Sequence, residues 1–170
     1  MSYTRRALLL GGIASAASVA IADFAGALSP DISHGPRGGK KVALTFHGAG
    51  DPKIATDLLN ILSTSGTHVT VFAVGTFLKS NPEFAKKILD GGHDLGNHTM
   101  THTQMKTISA KRVDSEISEC AALLKKLTGN HGAFFRPSGT QYSTPLIRKT
   151  AQKYGYKNCI CLLYTSDAAD

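Results

Sequence analysis

Gly92-His93-Asp94-Leu95-Gly96-Asn97-His98-Thr99-Met100-Thr101-His102 is the stretch on which the reading of this chain turns. It is polar and glycine-bearing, and it ends in two histidines four residues apart. Four residues are about one helical turn. A helix entered near Asn97 would therefore set both imidazoles on one face, where they could share one ion. The spacing alone is weak, since pairs of exposed helix histidines show it too. Its setting carries more, because the pair follows a glycine-rich strand exit, and Asp51 follows another strand far upstream. Two histidines, a carboxylate and an open position are what a hydrolytic metal centre requires.

Outward from that stretch, strands alternate with helices. Upstream, Lys41 to His47 reads as a strand apolar on both faces, as a covered parallel strand should be. Gly48-Ala49-Gly50 turns the chain, and Asp51-Pro52 looks like an N-cap with a first-turn proline. A helix with Ile54, Leu58, Ile61 and Leu62 on one face runs to Gly66. His68 to Val74 is a second strand, and Asn81-Pro82 is expected to cap a helix through Phe84, Ile88 and Leu89. Downstream, Ser109 starts the longest helix, with Val113, Ile117, Cys120, Leu124 and Leu127 at spacings of three and four until Gly129. Ala133 to Arg136 is a short strand leaving into Pro137-Ser138-Gly139. Thr144-Pro145 opens a last helix to Gly155, and a strand begins at Tyr156. This alternation predicts an α/β fold with a parallel sheet, open or closed into a barrel. His47, Asp51, His98, His102 and Arg136 all follow strand ends, the side on which parallel α/β folds gather their functional groups.

Composition bounds the possibilities. The chain has 170 residues, 42% hydrophobic and 18% charged, enough for one domain with a proper core. The net charge of +7 suits an acidic or phosphate-rich surface such as a cell wall. The lysines are spread over helix faces, with no basic run interleaved with aromatics, which argues against nucleic acid as a partner. No stable protein partner is predicted. Arg5-Arg6, an apolar run to Ala22 and a polar region from Asp23 come in the order of an export signal over residues 1–27. The arginine pair loosely resembles a twin-arginine signal, so the domain is expected to be secreted or to face the cell envelope. Residues 28–40, rich in Pro and Gly, read as a linker. Cys161 to Asp170 resembles the translation of a transposase sequencing adapter, and the native sequence is expected to stop at Ile160. Cys120 and Cys159 then make no disulfide framework, and Cys120 on an apolar stripe reads as a small core residue.

The histidine pair in His98-Thr99-Met100-Thr101-His102, together with Val42-Ala43-Leu44-Thr45-Phe46 and Phe135-Arg136-Pro137, resembles three motifs of the polysaccharide deacetylase family. This is also called carbohydrate esterase family four, or the NodB homology domain. The resemblance covers residues 41–160. It implies a deformed parallel β/α barrel, here a partial domain truncated at the C-terminus. It also implies metal-assisted removal of acetyl groups from an amino-sugar polymer such as peptidoglycan or chitin. By the same resemblance His98 and His102 hold a divalent ion, zinc being the expected one, and Arg136 orients the catalytic base.

The first motif departs from the family. Members carry Thr-Phe-Asp-Asp-Gly, with one aspartate as base and the next as metal ligand, whereas this chain has Thr45-Phe46-His47-Gly48-Ala49-Gly50-Asp51. Asp51 is the nearest carboxylate and is expected to be the third ligand, the alternative being a plain helix N-cap; the two jobs need not exclude each other, since a carboxylate has two oxygens. His47 falls where the base aspartate would be and is expected to take the proton from metal-bound water, an additional ligand role being the alternative. Pro137, Ser138 and Gly139 are expected to wall the substrate groove, although the family's aromatic residue there is missing. The family's last two motifs, including the histidine used as general acid, have no counterpart before Cys161. A relative that binds glycan or metal without catalysis is the competing reading.

Overall fold

In a computed structural model the protein is described over residues 30–35, 38 and 40–160. The expected export signal at residues 1–27 and the adapter-like Cys161 to Asp170 lie outside the described residues.

Five strands, β1 (Thr45–Gly48), β2 (Thr70–Ala73), β3 (Asp94–Asn97), β4 (Phe134–Phe135) and β5 (Lys157–Asn158), form one sheet. The order is β1-β2-β3-β4-β5 and every pairing is parallel. Parallel neighbours need crossovers, and these are supplied by α1 (Pro52–Ser65), α2 (Gly75–Ser80), α3 (Glu83–Asp90), α4 (Ala110–Thr128) and α5 (Pro145–Lys153). A doubly wound sheet reverses its strand order at a switch point, whereas here each new strand adds to the same side, as in the wall of a β/α barrel. The expected architecture is the one found.

The register lines up Gly48, Ala73, Asn97, Phe135 and Asn158 across the sheet. The residues that leave the strands next, His98 and Arg136 among them, therefore emerge together at one end. Two apolar clusters fix this geometry. One packs Val71, Leu78, Phe84 and Ile88 against Cys120 and Leu124 of α4. The other packs Val113 and Ile117 of α4 against Phe135, Ile147 and Tyr156. Helix α4 serves both, so its apolar stripe joins the two halves of the sheet. Each large side chain so buried contributes about 1.5–3 kcal/mol.

Helix ends match their sequence signals closely. Asp51, Ser109 and Thr144 cap α1, α4 and α5 through their side chains, and Gly66 and Gly129 close α1 and α4 in the left-handed region. Four features differ from expectation. Strand β1 starts at Thr45 instead of Lys41, because β1 is the sheet's edge and Val42 and Leu44 lie exposed there. Helix α2 is too short for its periodicity to show. Asn81 therefore does not cap α3: its side-chain amide donates to the Phe77 carbonyl at 3.1 Å and closes α2. On α1, Leu62 is buried while Ile54 and Ile61 stay 67% and 64% exposed, so the apolar stripe is wider than the surface it covers. Finally, part of the lead-in read as linker is stitched to β5. Ile32 bridges Cys159 in parallel, and the Asp31 carboxylate accepts from the Ser143 amide at 2.8 Å and from Arg148 Nε at 3.2 Å.

Candidate metal centre

Three histidines meet at the common end of β1 and β3. His47 stands on β1, His98 leaves β3, and His102 lies at the end of the turn that follows. Their ligand nitrogens all lie within 4.8 Å of one another. The His47 and His98 rings are 4.3 Å apart, His98 and His102 4.9 Å, and His47 and His102 6.0 Å.

The helical turn expected to join His98 to His102 is not formed, since no helix begins until Ala110. An irregular turn does the work, with Thr99 at φ 70° and His102 at φ 57°. A β-branched residue in the left-handed region is a strained choice, costing on the order of 1–3 kcal/mol, and persists only when its surroundings dictate it. Here they do. The Asn97 side-chain oxygen accepts from the Thr99 amide at 2.9 Å. Thr99 Oγ1 accepts from the His102 amide at 3.2 Å and donates to Ser138 Oγ at 3.0 Å. Ser138 Oγ donates in turn to the Thr103 carbonyl at 2.5 Å. Asn97 is itself fixed, its amide nitrogen donating to the Ile117 carbonyl and to the Tyr156 hydroxyl.

His98 is 1% exposed, and its two nitrogens differ. Nδ1 donates to the Arg136 carbonyl at 2.8 Å, which sets the tautomer and leaves the lone pair on Nε2. Nε2 is buried without a hydrogen-bond partner. A buried acceptor with nothing to accept is costly, and one that points into a set of two further imidazoles fits a metal ion. Burial, then the neighbouring His47, holds the His98 imidazole well below its ordinary pKa of 6.5. His47 is lowered as well, by loss of water and by the Arg136 and His102 charges. Both are thus neutral near pH 7, the form in which imidazole binds metal.

Asp51 is not brought to this group. It is exposed, with φ −73° and ψ 121°, and its Oδ1 accepts from the Lys53 amide at 2.7 Å to cap α1. Its expected ligand position is filled, in the described residues, by His47. Gly48 follows His47 where the family carries its second aspartate, and a Cβ there would stand 3.0 Å from Ala73 Cα and Val71 Cγ1. A larger residue there would need its β2 neighbours to give by a few tenths of an ångström.

Arg136 lies beside the cluster, 5% exposed, its guanidinium 4.1 Å above the Phe72 ring and donating to Thr45 Oγ1 at 2.8 Å. Pro137 and Ser138 are buried and Gly139 half-buried. Ser138 is thus committed to the histidine turn. Gly139, at φ 60°, approaches Gln104 so closely that a Cβ would stand 2.9 Å from Gln104 Cα. Sequence reasoning missed Asn97, Thr99 and Glu116; of these Glu116 carried a signal, a charged residue where the α4 stripe calls for an apolar one.

Fold and site together define a parallel β/α protein with a histidine cluster suited to one metal ion at the C-terminal end of its strands. The chain belongs to the polysaccharide deacetylase family, whose model matches residues 34–159. Among relatives, a peptidoglycan-N-acetylglucosamine deacetylase of Bacillus cereus is 30% identical over 125 residues, covering 74% of this chain and 58% of its own length. A family 4 carbohydrate esterase from Streptomyces lividans, solved with acetate, superposes with TM-score 0.65 at 30% identity, over 70% of this chain and 61% of its own. A pseudoenzyme of the same family from Bacillus anthracis superposes with TM-score 0.72 at 28% identity, over 78% of this chain and 47% of its own. The chain spans about half the length of the curated relatives it matches.

Proposed function

We propose that the intact protein is an exported or envelope-facing hydrolase that removes acetyl groups from an amino-sugar polysaccharide. The divalent ion, zinc in our reading, is held by His47, His98 and His102. The observation that carries this is the lone, buried His98 Nε2 facing two further imidazoles at a strand end. Three imidazole ligands with room for a fourth would suit zinc. Such an ion polarises a carbonyl and lowers the pKa of a water from about 16 toward about 7.

The chain's own residues do the rest. The Arg136 carbonyl fixes the His98 tautomer. The Arg136 guanidinium, stacked on Phe72 and anchored by Thr45, puts a fixed positive charge beside His47 and favours whatever anion the reaction develops there. Of Pro137, Ser138 and Gly139, the first two are buried, Ser138 supporting the turn from behind, and half-buried Gly139 is the one with surface to offer a sugar. With His47 drawn in as a ligand, the described histidine group contains no carboxylate to act as base. That observation favours a second reading, a relative that binds metal and glycan without catalysis. The test is acetate release from acetylated glucosamine oligomers by the full-length protein, with and without added zinc. Zinc-dependent release supports the enzyme. Glycan retention with bound zinc and no acetate supports the second reading.

A further inference from the structure

Helix α4 carries a carboxylate in its apolar stripe. Glu116 lies between Val113, Ile117 and Cys120, all fully buried, and is itself 1% exposed. A charge so placed costs several kcal/mol unless it is paired and hydrogen-bonded. Its partners all belong to one small region. Oε2 accepts from the Thr101 amide at 2.8 Å, and Oε1 accepts from the Thr101 hydroxyl at 2.6 Å. Arg112, one turn earlier on α4, reaches Oε1 at 2.6 Å and also donates to Thr101 Oγ1 at 3.3 Å.

Thr101 lies between His98 and His102, in the turn whose Thr99 and His102 hold left-handed backbone angles. The network from Asn97 and Ser138 grips that turn at Thr99. That network also reaches the His102 amide through Thr99 Oγ1 and the Thr103 carbonyl through Ser138, and the Gly75 and Thr76 amides donate to the Thr99 and Met100 carbonyls at 2.9 and 2.8 Å. None of these bonds is to Thr101, whose amide and hydroxyl are held by Glu116. We propose that Glu116 is a positioning residue for the metal centre: its carboxylate clamps Thr101 to α4 and so holds the strained turn that aims His98 and His102 at one point. This rests on the metal-binding reading above. The clamp explains why a buried carboxylate stands on an otherwise apolar stripe, and why no helix is needed to bring the two histidines together. It also ties the centre to the helix that packs both halves of the core.

The test compares zinc affinity, amide exchange and metal-free stability in the wild type, Glu116→Gln and Thr101→Val. Glu116→Gln removes the Arg112 pair and exchanges one acceptor for a donor. Partners that orient metal ligands typically change affinity about 10- to 100-fold, and a loss of that size is expected. Thr101→Val keeps the amide bond and should lose less, and the double variant should lose no more than Glu116→Gln alone, since both act on one contact. The Thr101 amide should exchange faster in metal-free Glu116→Gln, with the other turn amides following. A merely structural carboxylate would lower the unfolding midpoint and leave zinc affinity of the folded protein unchanged. That result in both single variants overturns the proposal. If Glu116→Gln does not fold, Thr101→Val carries the comparison. If wild type binds no zinc, the metal reading fails, and the Thr101 exchange rate still decides the clamp: unchanged protection in Glu116→Gln refutes it.

Discussion

Replacing Asp51 separates its two candidate roles. Its Oδ1 accepts one bond, 2.7 Å from the Lys53 amide, at the start of a 14-residue helix. Removing an aspartate cap in favour of alanine typically costs about 1 kcal/mol, within about 0.5–2. For a domain of this size that lowers the melting temperature by about 4 °C. Because the side chain is exposed and uncrowded, no cavity or buried charge adds to that figure. Asp51→Asn keeps a good cap acceptor and should restore most of the loss. Neither variant should alter zinc affinity, because the histidine nitrogens that lie within 4.8 Å of one another do not include a contribution from Asp51. The assay is urea unfolding of the metal-free protein, where a pure cap effect moves the midpoint and leaves the slope alone. It is paired with a chelator competition for zinc. A tenfold or greater loss of zinc affinity in Asp51→Asn, with stability intact, would refute the assignment and restore Asp51 as a ligand.

Three more outcomes follow. In metal-free protein the His98 imidazole is held well below 6.5, so above that value both folded and unfolded forms are neutral there. As pH falls below it the unfolded chain takes up a proton that the folded chain refuses, so stability drops by up to about 1.4 kcal/mol per pH unit for that group. Unfolding midpoints that stay flat from about pH 7.5 to about pH 5.5 would contradict this. Burial pushes the Cys120 thiol up to about 12, so iodoacetamide at mildly alkaline pH should label it only as fast as the protein opens, and rapid labelling of native protein would be inconsistent with its place in the core. Ile61, 64% exposed on α1, should accept lysine with a stability change within about 0.5 kcal/mol and lower aggregation by light scattering, and a large loss of stability would show that the face is covered.

Strand and helix order could be read from the chain because its punctuation is local. The caps at Asp51, Ser109 and Thr144 and the glycines at 66 and 129 act within one or two turns of their own position. The gathering of His47, His98 and Arg136 at one end followed from the strand exits, which a parallel register aligns. What could not be read was set by contacts distant in sequence. The His98–His102 geometry depends on Ser138 and Glu116, 39 and 15 residues from their partners, so four-residue spacing pointed to a helix that tertiary contacts replace. Asp51 looked free to fold back because its capping geometry and the β1–β2 approach at Gly48 are invisible in one dimension. Val42 and Leu44 read as buried because apolar runs do not tell an edge strand from a central one.

In this reading three imidazoles, and no carboxylate from Asp51, hold the ion. X-ray absorption on zinc-loaded protein tests it most directly, since imidazole nitrogens at about 2.0–2.1 Å give outer-shell scattering that carboxylate oxygens lack. Three imidazoles per zinc are expected in wild type and two in His47→Ala. Two imidazoles in both wild type and His47→Ala, with a protein oxygen lost in Asp51→Ala, would instead make Asp51 the third ligand.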